Sequence, residues 1–175
     1  STPDFSMATW VDELGALVTD RVAEPVVILG HSMGTMLALE AWRAWPEQIR
    51  ALIFVGGVPQ VAPRIRERLN DRIKALEGAR DLIGWGKKVA PGVFSPSTLR
   101  DRPDIVARFE REFYTQAVGT YVRSCQILLD ANTEAIAGTV RVPCLGITGE
   151  HDQYAPPDAV AAFLRRIPSQ PALDV

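Results

Sequence analysis

Apolar residues recur at Val11, Leu14, Val18 and Val22, a helical spacing that predicts an opening helix with one face laid on a sheet. Ser6 or Thr9 can cap it, and Asp12 and Glu13 fall in its opening turns, where the helix dipole favours acids. Glu24-Pro25 ends it. The pattern then changes: Val26-Val27-Ile28-Leu29 is wholly apolar, as in a parallel strand buried on both faces. That run leads directly into Gly30-His31-Ser32-Met33-Gly34, and a helix-forming stretch follows from Thr35 to Trp45, closed by Pro46. Ala51-Leu52-Ile53-Phe54-Val55 is a second apolar strand ending at Gly56-Gly57. Strand, helix and strand at this spacing form a βαβ unit, whose crossover is right-handed.

From Pro59 to about Gly138 the strand signal disappears. Ile65, Leu69, Ile73 and Leu76 stripe a helix whose other faces carry Arg64, Arg66, Arg68, Arg72 and Lys74. Such a cluster is either an anion-binding surface or, more simply, a solvated helix face. Further helices are predicted around Asp104–Tyr114 and Val118–Ala131, and Ala90-Pro91-Gly92-Val93-Phe94-Ser95-Pro96 is predicted to be a loop. The α/β texture returns at residues 140–148, a third buried strand, followed by the loop Gly149-Glu150-His151-Asp152. Pro156-Pro157-Asp158 opens a helix with Val160, Phe163, Leu164 and Ile167 on its apolar face, and Ala172-Leu173-Asp174-Val175 begins a fourth strand. The domain organisation expected is therefore residues 1–58 and 139–175 as an α/β core, with 59–138 as a helical insertion.

Composition narrows the possible partners. With 19 basic and 21 acidic residues the net charge is -2, so nothing in the balance attracts polyanions, and nucleic acid is not an expected partner. No apolar run reaches the length of a membrane helix, so no membrane partner is expected. The first residues, Ser-Thr-Pro-Asp-Phe, carry no initiator methionine, basic n-region or apolar h-region, and read as the middle of a protein rather than its start. A cytoplasmic location is expected. Cys125 and Cys144 stand far apart without metal-ligand spacing and read as free thiols.

The chemistry concentrates at residues 30–34. A G-x-S-x-G pattern alone is weak, but here an apolar strand precedes it and a helix follows it. A serine in that position is forced into a tight turn, and side chains two residues to either side would meet the crossing backbone. The turn lifts the Ser32 hydroxyl clear of the sheet at the positive end of a helix, where the Met33 backbone N–H can stabilise an oxyanion. Gly-Ser turns also join strands and helices without any catalytic role.

A nucleophilic serine needs a base, and the base an orienting carboxylate. The strand over 52–55 ends without an acid. The strand over 142–148 ends in Glu150 and Asp152, either of which could serve, or Asp152 could simply cap a turn. Neither histidine is well placed as the base, because His31 directly precedes Ser32 and His151 directly precedes Asp152, and neighbouring side chains in extended chain diverge.

On these residues the sequence resembles the α/β-hydrolase fold superfamily over its whole length. Gly30-His31-Ser32-Met33-Gly34 is similar to that family's nucleophile elbow. The stretch from Val142 to Asp152 is similar to its acid-bearing strand and turn, in which the final Asp is the triad acid, and this favours Asp152 over Glu150. The resemblance implies a parallel-sheet α/β fold holding strands five, six and seven and the start of strand eight, with the helical insertion as a cap. It implies that the first strands and a His-Gly oxyanion loop precede Ser1, and that the catalytic histidine follows Val175. An internal fragment of a longer hydrolase is thus expected. With Val26–Leu29 central in the family's strand order, its apolar edge would be bare, and poor solubility and no activity are expected of the fragment alone.

More loosely, residues 90–96, 102–106 and 119–125 resemble the 3-oxoadipate enol-lactonase-like group. The implied function is a serine hydrolase of small carboxylic esters or lactones. Ser32 is then the nucleophile, Asp152 the orienting acid and the Met33 N–H one oxyanion donor. No metal or organic cofactor is implied. Trp85, Phe94, Phe109 and Tyr114 could line an apolar substrate pocket, or belong to a core. The same elbow and acid also serve carbon–carbon bond hydrolases and cofactor-free haloperoxidase-like perhydrolases, and a non-catalytic binding protein can keep the fold. Dehalogenases are disfavoured because their nucleophile is usually Asp.

Overall fold

The structure, a computed structural model, describes residues 5–175. The described residues divide into two compact units: residues 5–60, 130–150 and 155–175 in one, 61–129 and 151–154 in the other. The first holds the sheet. Its strands are β1 (Val26–His31), β2 (Ile49–Val55), β3 (Cys144–Ile147) and β4 (Ala172–Asp174), all parallel and in that spatial order among the described residues. The opening helix α1 (Met7–Arg21) is capped by Ser6, whose hydroxyl accepts from the Thr9 amide. Because the helix begins at Met7, Asp12 and Glu13 lie beyond its first turn, contrary to the expectation that they complement its dipole.

Helix α2 (Met33–Ala44) packs on β1 and β2. Helices α8 (Glu134–Ala137) and α9 (Pro157–Leu164) continue the same layer, α8 against α2 and α9 against β3 and β4. The core lies between these helices and one face of the sheet: Leu39 and Trp42 from α2, Leu52 and Phe54 from β2, Val160 and Phe163 from α9. Phe54 and Phe163 meet edge to face with ring centroids 5.1 Å apart. Gly146 lies under α9, where an added Cβ would press on the end of the Leu164 side chain and force it to shift.

The opposite face corrects one expectation. The pairing register aligns Leu29, Ile53 and Leu145 in a row across the sheet, on the face turned away from the core. Val27 and Leu29 on that face are 42% and 59% exposed, so β1 is not buried on both sides. Among the described residues its only strand neighbour is β2. The third strand is also shorter than its apolar run, because Pro143 has no N–H to donate; the ladder opens where the Leu52 amide meets the Pro143 carbonyl at 3.0 Å.

The second unit is helical: α3 (Pro63–Ala75), α4 (Trp85–Val93), α5 (Pro96–Asp101), α6 (Pro103–Tyr114) and most of α7 (Val118–Asp130). Ile65, Leu69 and Leu76 are buried, as their spacing predicts. The loop expected over residues 90–96 is instead helical as far as Val93, with Pro91 inside α4. Packing overrides the proline here. Val89 and Ala90 are buried, and α4 approaches α6 so closely that a Cβ at Gly86 would come within 2.8 Å of the Glu110 Cα. Only the last turn follows Pro91, and the Phe94 amide closes it on the Ala90 carbonyl at 3.0 Å.

The basic residues of α3 are not a uniformly solvated face. Arg64 donates to the Gln153 carbonyl (2.8 Å), Arg66 to the Leu129 carbonyl (2.7 Å), and Arg72 to the hydroxyls of Tyr121 (2.7 Å) and Tyr154 (3.4 Å). Cys125 and Cys144 are free thiols, as expected. Among the described residues no helix is long and apolar enough to cross a membrane.

Candidate active site

The turn between β1 and α2 holds a non-glycine residue at positive φ. Ser32 takes φ 53° and ψ −119°, in the positive-φ region that costs a non-glycine residue about 1–3 kcal/mol. Three hydrogen bonds hold it there. The Ser32 amide donates to the Val55 carbonyl at the end of β2 (2.9 Å), and the Thr35 amide donates to the Ser32 carbonyl (2.9 Å). The buried Thr35 hydroxyl donates to the Gly30 carbonyl at 3.3 Å.

Sterics explain the glycines unevenly. A Cβ at Gly30 would lie 2.5 Å from the Gly34 carbonyl carbon and 2.8 Å from the Thr35 nitrogen, so glycine is required at 30. A Cβ at Gly34 would meet nothing within 4 Å. The expectation that both positions reject a side chain thus holds only for the first. The helix begins at Met33, so its outer backbone at Gly34 faces open space while Gly30 lies beneath it. A third glycine belongs to the same construction and was not singled out from the sequence. A Cβ at Gly57 would overlap the Thr35 side chain and approach the Ser32 carbonyl oxygen to 3.0 Å. Its signal was visible as Gly56-Gly57 at the end of a strand parallel to the elbow.

These contacts leave Ser32 exposed at the head of α2. Met33 is the first residue of the helix, and its amide is among the N-terminal donors that have no carbonyl partner within a helix. His31, the last residue of β1, is exposed and alternates with Gly30 onto the same sheet face as Val27 and Leu29.

The loop after β3 carries the predicted acid. Its base is closed by the Thr148 hydroxyl donating to the Ala155 carbonyl at 2.7 Å, and by the Thr148 amide donating to the Asp174 carbonyl at 3.0 Å. Asp152 is half-buried, and its Oδ1 accepts from the Tyr154 amide at 2.8 Å, the turn-capping arrangement open to an Asp at that position. Glu150 and His151 are exposed. Asp152 is grouped with the helical unit and Ser32 with the sheet unit.

The four aromatic candidates have different surroundings. Phe94 packs edge to face on Phe109 at 5.3 Å, in a chain of rings that continues through Phe113 to Tyr121. Tyr114 closes α6, half-buried. Trp85 lines a cleft of about 580 Å³ within the helical unit.

A parallel sheet whose first strand enters a helix through a positive-φ serine defines an α/β-hydrolase fold, and comparison with known proteins agrees. The chain belongs to the Hydrolase_4 family, described as serine aminopeptidase, S33, whose model matches residues 6–173. Among solved structures it is similar to a hydrolase from Pseudomonas aeruginosa PA01, with a TM-score of 0.85 at 18% identity, covering 97% of this chain and 63% of that one. It is also similar to a thermophilic esterase from Thermogutta terrifontis (TM-score 0.83, 19% identity, 97% and 63% covered). A third likeness is to the enol-lactonase from Burkholderia xenovorans LB400 (TM-score 0.83, 19% identity, 98% and 65% covered). At these identities the likeness is one of fold. The chain spans less than two thirds of the length of each.

Proposed function

We propose that the native protein is a serine hydrolase of small carboxylic esters or lactones, with Ser32 as its nucleophile. The observation that carries this reading is the backbone of Ser32 itself. An exposed serine is held at positive φ, at the end of a strand and the head of a helix, by hydrogen bonds from two neighbouring elements. Strain maintained in this way is a feature of functional positions.

In the proposed reaction the Ser32 Oγ attacks the ester or lactone carbonyl carbon, and its proton passes to a histidine base. The carbonyl oxygen becomes an alkoxide beside the Met33 N–H, at the positive end of α2. Asp152 orients the histidine. The base returns the proton to the leaving alkoxide, and water then attacks the acyl-enzyme by the same route in reverse. His31 and His151, each adjacent in sequence to the residue it would have to bridge, are not the base in this scheme; the histidine is one that family order places after Asp152. The helical unit is proposed as the cap, with Trp85, Phe94 and Tyr114 as its candidate aromatics.

The test is active-site labelling of the native polypeptide with a fluorophosphonate, followed by peptide mass spectrometry and p-nitrophenyl ester and enol-lactone assays. An adduct on Ser32 with loss of turnover supports the reading. An unlabelled Ser32 in a folded protein overturns it and leaves a non-catalytic binding role in its place.

A further inference from the structure

The cleft in the helical unit has an unusual charge balance. Arg68, Arg72 and Lys88 line it against a single carboxylate, Asp71, and all its lining residues belong to that one unit. None of these three cations forms an ion pair among the described residues. Arg68 and Arg72 stand one turn apart on α3, a spacing at which like charges repel along a helix. The half-buried Arg72 guanidinium is held by the hydroxyls of Tyr121 and Tyr154, which fix the direction of its fork without supplying negative charge. The Lys88 ammonium rests over the Trp85 ring, 4.4 Å from its centroid. Two further features make the cleft more than a charged surface. Two aromatic side chains, Trp85 and Tyr154, are among its lining residues, and a Cβ at Gly92 would narrow it, coming within 3.1 Å of the Tyr154 hydroxyl.

We propose that this cleft binds a small carboxylate carried on a flat apolar body. The carboxylate lies among Arg68, Arg72 and Lys88, and the body lies against Trp85 and Tyr154. A planar guanidinium matches a carboxylate in two parallel hydrogen bonds, and a second and third cation make up for the exposure of the site. The two aromatic side chains favour an organic acid over a bare inorganic anion, which would leave them wet. The inference goes beyond the proposed hydrolysis and does not need Ser32 to be a nucleophile.

The experiment is isothermal titration of the native protein with benzoate, benzamide and inorganic phosphate. Benzoate is expected to bind, and both benzamide and phosphate to bind at least about tenfold more weakly, since each lacks one half of the recognition. Arg72 also orders two tyrosines, so its replacement risks the fold. The double variant Arg68→Gln/Lys88→Gln alters only exposed side chains and is expected to weaken benzoate by about tenfold or more with unchanged circular dichroism. Benzoate binding at wild-type strength in that variant, benzamide or phosphate matching benzoate, or no benzoate binding at all would each overturn the proposal. Repeating the titration on Ser32→Ala separates the two readings: the inference expects unchanged benzoate affinity there, whatever happens to ester turnover.

Discussion

The Ser32 amide donates to the Val55 carbonyl across 2.9 Å, so the residue at the head of α2 is tied to the neighbouring strand as well as to its own. The bond helps to hold the serine at φ 53° without help from its hydroxyl, which makes no hydrogen bond capping the helix. Backbone geometry and side-chain chemistry are therefore separable at this position.

Ser32→Ala is expected to leave the thermal midpoint of the native protein close to wild type. In the proposed reaction it lowers kcat for a p-nitrophenyl ester by about four to six orders of magnitude. Parallel melting curves and ester assays check both halves. Substantial turnover by the variant would remove Ser32 from the nucleophile's role.

The two glycines that flank the serine should behave oppositely. Gly30→Ala drives a Cβ into the backbone at Gly34 and Thr35, which cannot swing aside as a side chain would. A loss of about 3 kcal/mol or more is expected, up to failure to fold. Gly34→Ala enters open space within a helix and is expected to be neutral, or stabilising by up to about 1 kcal/mol. Urea denaturation of the two variants decides the matter, and equal losses would contradict the steric account.

Gly57→Ala should be as damaging as Gly30→Ala, for a reason that lies in another element. The new Cβ would fall 2.6 Å from the Thr35 Cβ, so trimming Thr35 to alanine removes the hydroxyl and methyl while keeping the atom in conflict. In the Gly57→Ala background, Thr35→Ala is therefore expected to recover only part of the loss, with a coupling of about 1–2 kcal/mol in a double-mutant cycle. Strict additivity would show that the two residues do not share this space.

Alkaline stability carries a signature of the buried Cys125 thiol and the half-buried Cys144 thiol. Burial pushes the Cys125 thiol upward against the opposing pull of the Tyr121 hydroxyl and the Arg72 charge, and burial likewise raises Cys144. A group raised in the folded state binds its proton more tightly there than in the unfolded chain. Its stabilisation is complete below the unfolded pKa and declines as pH climbs toward the folded one. Stability should thus fall with rising pH above about 8.5, the ordinary thiol value. Burial raises Tyr121 as well, which extends the decline to higher pH. Cys125→Ala should flatten the first part of this limb in urea titrations repeated across pH. An unchanged slope would assign it elsewhere.

Much of the sheet unit was legible because its signals are local. An apolar run, a glycine-bounded serine and a helix-forming stretch sit consecutively, and parallel strands recur at Ile49–Val55 and Cys144–Ile147 close to where the apolar runs place them. What was not legible depends on partners distant in sequence. Pro91 reads as a helix breaker until Gly86 and Glu110 are seen to bring α4 against α6. The alternation of burial along β1 is invisible in four consecutive apolar residues, since every one of them suits either face. The arginines of α3 look alike in sequence. Only the positions of the Gln153 and Leu129 carbonyls and of two tyrosine hydroxyls distinguish those that anchor the unit from those that face its cleft.

The fit of Gly57 against Thr35 also bears on how descendants of this fold can decay. The steric demands at Gly30, Thr35 and Gly57 make no reference to the serine hydroxyl, so a lineage that abandoned turnover would be free to lose Ser32 while packing still retained the other three. The glycine pattern around an elbow is thus a record of architecture. Inheritance of that pattern says little about whether the residue at its centre is still in use.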